Sequence, residues 1–149
     1  MLAMLMHAVP RYEDPFLAML ERHAPEEGSI QVIGAGQGTT GTHSMYFEMC
    51  AMQFRSAHFN MFCNVRHATP MPEFLRLVRP TDYAGVRDVR EGGNATTLAR
   101  SNRDRMLRTL RLLQNQSIEA IFDTPVPSYF DELRAFFPHA WVVLTKVSA

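Results

Sequence analysis

The chain has 149 residues with a formal net charge of zero, 46% hydrophobic and 20% charged side chains. This is the balance of a folded domain with a sizeable core, and it excludes a disordered or collagen-like chain. Zero net charge leaves no electrostatic footprint for nucleic acid or an anionic membrane, and no apolar run approaches the roughly 20 residues that a span needs. Lys146 is the only lysine; every other basic residue in the charge count is arginine.

The opening Met1–Met6 is apolar but lacks a basic flank and runs into His7 and Pro10. It does not read as a secretory signal, and a cytoplasmic location is expected. Residues 1–28 read as an N-terminal helical arm, with one domain over 29–149. Asp14 as a cap and Pro15 at the first helical position predict a helix over Pro15–His23 that buries Phe16, Leu17, Met19 and Leu20. A β-branched run over Ile30–Gly34 predicts the first strand. It feeds a loop holding Gly34, Gly36, Gly38 and Gly41, and a helix over Met45–Phe54 follows. Met45, Met49 and Met52 are spaced to face the core.

Alternation over Ser56–Phe62 predicts a second strand. Cys50 and Cys63 are too few for a metal motif or a disulfide framework and are expected as buried free thiols. A short helix over Pro72–Val78 and an irregular stretch to Asn94 precede a long helix over Thr97–Gln116. That helix has Met106, Leu107, Leu110 and Leu113 inside, and its arginines are expected on a solvated face with Asp104. Ala120–Phe122 reads as a third strand ending at Asp123, Pro127–Phe137 as a helix, and Trp141–Thr145 as a last buried strand. The alternation implies an α/β fold: a three-layer parallel sheet with helices on both faces. Ligands in such folds lie beyond the C-terminal strand ends, where the glycine loop, His58, Asn60 and Asp123 are expected to gather.

Strand, glycine-rich turn and helix start together make an anion cradle, with backbone N–H groups and the helix dipole directed at one concavity. Three ligand classes compete for it. Gly36-x-Gly38-x-x-Gly41 has the dinucleotide spacing, but the end of the second strand holds no acidic residue for the ribose. A triphosphate loop needs Gly-Lys-Ser/Thr, whereas Thr42 and His43 follow Gly41 here.

The third class is carried by Val32-Ile33-Gly34-Ala35-Gly36-Gln37-Gly38-Thr39-Thr40-Gly41-Thr42-His43-Ser44, by Phe54–Phe62, by Ile121–Pro125, by Phe130–Leu133 and by Phe137-Pro138-His139-Ala140-Trp141-Val142-Val143-Leu144-Thr145. These segments resemble the sulfotransferase family, patchily over residues 30–145 and in its N-terminal part only. The resemblance implies a P-loop-like fold that binds 3′-phosphoadenosine 5′-phosphosulfate through Gln37, Gly38, Thr39, Thr40, Gly41, Thr42 and His43. It also implies sulfuryl transfer to a hydroxyl or amine of a small-molecule or carbohydrate acceptor through a nearby base; no metal is expected. Asn60 aligns with the histidine usual on the family's second strand, and alternation puts His58 on the same strand face, so His58 is the candidate catalytic base. Two further positions depart from the family pattern. Thr39 stands where a loop Lys/Arg is usual, and Lys146-Val147-Ser148-Ala149 stands where Arg-Asp-Pro is usual, so the chain reads as truncated. A non-catalytic interaction module, with homodimerisation beside the last strand, and a dinucleotide-binding domain remain the alternatives.

Overall fold

The computed structural model describes residues 11–36, 41–58, 61–65, 97–123 and 126–145, with side chains of the long helix from residue 103 onward. The Met1–Met6 run, the Pro72–Val78 helix and irregular stretch, and the loop residues Gln37, Gly38, Thr39 and Thr40 lie outside the described residues. So do Asn60 and Lys146.

Helix α1 (Pro15–Arg22) begins where the sequence predicts: Asp14 Oδ1 accepts from Phe16 N–H at 2.7 Å and Leu17 N–H at 3.3 Å. The remaining elements are β1 (Val32–Gly34), α2 (Thr42–Ala51), β2 (Ser56–His58), β3 (Met61–Cys63), α3 (Thr97–Asn115), β4 (Ala120–Phe122), a 3-10 turn (Val126–Tyr129), α4 (Phe130–Phe136) and β5 (Trp141–Val143). The strands form one sheet in the order β3-β2-β4-β1-β5, parallel throughout except for the β2–β3 pair.

Strand side chains alternate between the two faces, and each face is covered. Ile33, Ala57 and Ile121 join Phe16, Leu17 and Leu20 of α1, Met106, Leu110 and Leu113 of α3, and Leu133 and Phe136 of α4 in one buried cluster. Val32, Ala120 and Phe122 face the other way, against Tyr46, Met45 and Met49 of α2. This is the three-layer α/β arrangement expected from the sequence. Gly34 is required in the second cluster, because a Cβ there would run into the ring of Phe122.

Four local readings change. The expected second strand is a hairpin: Ser56 opposes Cys63 and His58 opposes Met61, antiparallel. The apolar alternation Ala57, Phe59, Met61 continues across the reversal in sequence, whereas Ala57 and Met61 face opposite clusters, so alternation alone does not mark it. Met52 is the C-cap of α2 and is 56% exposed, one step past the stripe formed by Met45 and Met49. Among the described strands the last is the sheet edge, with Trp141 77% exposed. Arg103 carries its guanidinium 5.6 Å from the centroid of the Phe16 ring, a cation–π contact in place of a solvated position.

The hairpin also overturns the expectation of free thiols. It turns β3 back beside the end of α2, bringing the Cα atoms of Cys50 and Cys63 to 5.8 Å, and the two are disulfide-bonded. Asn64 Nδ2 reinforces the seam, donating to the carbonyls of Cys50 at 3.0 Å and Phe54 at 2.9 Å. The bridge closes a ring of sequence separation 13, for which unfolded-state restriction gives roughly 3 kcal/mol. Chemical denaturation of the Cys50→Ser, Cys63→Ser double variant is expected to show a loss of that order. An unchanged midpoint would remove the bridge from the forces that hold α2.

Candidate functional site

Three parallel strands deliver their C-terminal ends to one place. β1 leaves Gly34 toward the start of α2, β2 ends at His58, and β4 ends one residue before Asp123. Helix α2 starts at Gly41, whose φ of 89° lies in the left-handed region and whose position offers no side-chain cap for the first-turn N–H groups. Those donors and the positive end of the helix dipole are the ordinary ingredients of anion binding.

Directly behind the helix start lies a buried polar cluster. Thr42 is 2% exposed and His58 is 7% exposed. His58 Nε2 is 3.3 Å from Thr42 Oγ1 and 3.4 Å from Asp123 Oδ2. The His58 ring packs against His43, with centroids 5.1 Å apart, and against Tyr46 at 5.5 Å. His43 is exposed on the first turn of α2, and its ring meets Phe47 edge-on at 4.8 Å. Two atoms of the cluster, His58 Nδ1 and Asp123 Oδ1, are buried without a hydrogen-bond partner among the described residues. Asp123 takes a left-handed φ of 67°, which is costly for a residue with a side chain and recurs at functional positions.

Burial holds the His58 imidazole below its usual pKa; the Asp123 carboxylate pulls it upward, His43 adds to the lowering, and a hydrogen bond to the backbone of His58 itself opposes it. Burial likewise pushes the Tyr46 phenol up. At neutral pH His58 is therefore a neutral ring beside a carboxylate. Such a ring holds one proton on one nitrogen and offers a lone pair on the other.

Of the residues expected from the sequence, Gly41, Thr42, His43 and His58 come together here, while Gln37, Gly38, Thr39 and Thr40 lie outside the described residues. The pairing of Asp123 with His58 was not deduced from the sequence. Its signal was present in the acidic residue ending an apolar strand, but the partner became visible only with the strand order. A separate cavity, lined by Gly28, Ile30, Phe137, His139 and Trp141, opens at the N-terminal ends of β1 and β5. It lies at the opposite end of the strands from this cluster. Among the described residues no group of three or more His, Cys, Asp or Glu could hold a metal ion, and no helix is long and apolar enough to cross a membrane.

Against known proteins, the family model described as sulfotransferase domain matches residues 31–148. None of the curated proteins matches the chain.

The lowered His58 pKa has a definite sign in stability. The unfolded chain takes up this proton near pH 6.5, and the folded chain only at lower pH. Stability from the neutral ring is therefore complete above about pH 6.5 and falls as pH drops through that value toward the folded pKa. Thermal melts over this range should fall more steeply for the wild type than for His58→Gln. Parallel melting curves would remove His58 as the titrating group.

Proposed function

The chain belongs to the sulfotransferase domain family, and from that premise we propose that it binds 3′-phosphoadenosine 5′-phosphosulfate at the start of α2 and transfers the sulfuryl group to a hydroxyl or amine. The observation that carries the reading is the uncapped helix start at Gly41, set directly against the buried Thr42–His58–Asp123 cluster. First-turn N–H groups of α2 and the Thr42 hydroxyl supply charge-assisted hydrogen bonds to the 5′-phosphosulfate, joined by Gln37, Gly38, Thr39 and Thr40 of the glycine-rich sequence before them. The exposed imidazole of His43 flanks the same position.

In the transfer, the acceptor oxygen or nitrogen attacks sulfur and the bond from sulfur to the bridging phosphate oxygen breaks. Adenosine 3′,5′-bisphosphate leaves, and the acceptor's proton passes to a base. His58 is assigned that base role, with the Asp123 carboxylate stabilising the imidazolium that forms. Position and electrostatics do the rest, as in phosphoryl transfer. The acceptor is a small molecule or carbohydrate. The cytoplasmic location expected from the sequence belongs to this proposal. It sets the Cys50–Cys63 bond in a reducing compartment, where disulfides are generally transient.

Adenosine 3′,5′-bisphosphate should raise the melting temperature of the wild type and leave that of Gly41→Asp unchanged, because a carboxylate at Gly41 repels the anion. No shift for the wild type at saturating ligand would overturn the donor assignment. For turnover, His58→Asn is expected to lower kcat by about 10²- to 10⁴-fold. A full loss in His43→Asn with little change in His58→Asn would move the base to His43.

A second reading, an interaction module that associates with another copy of itself, is favoured by the edge strand. There Trp141, Val142 and Leu144 are 77%, 38% and 62% exposed, and an open apolar edge invites pairing. Sedimentation should then show a dimer that Leu144→Asp dissociates. A monomer at every concentration tested would retire this reading.

A further inference from the structure

We propose that Asp123 is a positioning residue which, through His58, directs the Thr42 hydroxyl toward an anion at the start of α2. His58 Nε2 faces two oxygens at nearly equal range, Thr42 Oγ1 at 3.3 Å and Asp123 Oδ2 at 3.4 Å. A neutral imidazole has a single proton to place. With that proton on Nδ1, the Nε2 lone pair would face the Asp123 carboxylate, and two electron-rich atoms would be held together in a buried site. With the proton on Nε2, the N–H faces both oxygens, and Asp123 Oδ2 at 3.4 Å meets a donor instead of a lone pair.

The second arrangement fixes what Thr42 can do. Its oxygen accepts from His58, so its own O–H cannot point back at the ring and is donated elsewhere. The first-turn N–H groups of α2, without a side-chain cap among the described residues, would converge on the anion that receives it. In the opposite tautomer the hydroxyl would be spent on Nε2 and lost to the ligand. The same choice leaves the ring's lone pair on the buried Nδ1, the atom at which His58 would take up a proton in the base role proposed above.

Asp123 is held for this task by several independent constraints. His58 sits opposite Phe122 in the parallel β2–β4 register, one residue before Asp123. Asp123 turns out of β4 with φ 67°, and its carbonyl accepts from Val126 N–H at 2.7 Å. Its side chain is only 18% exposed. A carboxylate with solvation as its only role would have no need of this backbone.

The inference rests on the donor-binding reading for its anion, but its first test does not. Nitrogen-15 chemical shifts of the His58 ring in the full chain should show the neutral ring protonated on Nε2. In Asp123→Asn, whose amide offers a donor as readily as an acceptor, that preference should be lost. Calorimetric titration with adenosine 3′,5′-bisphosphate then tests the link to Thr42. Asp123→Asn and Thr42→Val are each expected to weaken binding about tenfold or more, and the double variant no further than Thr42→Val alone. A wild-type ring protonated on Nδ1 overturns the proposal, whether or not the variant folds. Fully multiplicative losses in the double variant also overturn it. If the wild type does not bind the bisphosphate at all, the donor reading falls, and the spectra alone decide the role of Asp123.

Discussion

The in-register parallel pairing of β1 with β4 is the constraint on which the rest of this molecule depends. Val32 opposes Ala120 and Ile33 opposes Ile121, so the Phe122 ring lies over Gly34 where no side chain could share the space. Parallel strands in this register release both chains at the same end of the sheet, one toward Gly41 and α2, the other into Asp123. β2 adds His58 at that end by the same geometry. A slip of one residue would send His58 to the α1–α3–α4 face, where it would meet a large apolar cluster and neither Thr42 nor Asp123. The chemistry of the cluster is therefore a consequence of strand register before it is a matter of residue type.

Much of this architecture was legible in the residues. Asp14 followed by Pro15 marks a helix start by a mechanism that needs no tertiary context, and both act as read. The β-branched run before four glycines marks a strand and a tight exit, and Gly41 is found in the left-handed conformation that a glycine allows at little cost. Other features were hidden for identifiable reasons. The β2–β3 reversal carries no glycine or Asn-Gly signal, and the apolar alternation Ala57, Phe59, Met61 runs straight through it in sequence, although Met61 faces the opposite cluster from Ala57. The disulfide follows from that reversal and could not be seen without it. The apolar run at Trp141–Val143 has the composition of an interior strand, but composition does not say whether a neighbour stands on each side.

The site divides in the same way. His58 was legible because a polar residue at the end of a strand faces the ligand end of a parallel sheet. Asp123 was visible as a residue but not as a partner, since it lies 65 positions from His58 and only the β2–β4 adjacency joins them. Burial and the carboxylate act on His58 in opposite directions, and burial prevails. The ring is consequently neutral and ready to accept a proton, at some expense in acid stability.

The exposed edge strand also decides what light can report about this protein. Trp141 is the only tryptophan in the chain, and it is 77% exposed on β5, which among the described residues pairs with β1 alone. Its emission belongs to a solvated indole at the rim, remote in the fold from His58 and from α2. Intrinsic fluorescence will therefore follow fraying or covering of this rim. It will be nearly silent to events at the helix start, which call for probes placed on the histidines themselves.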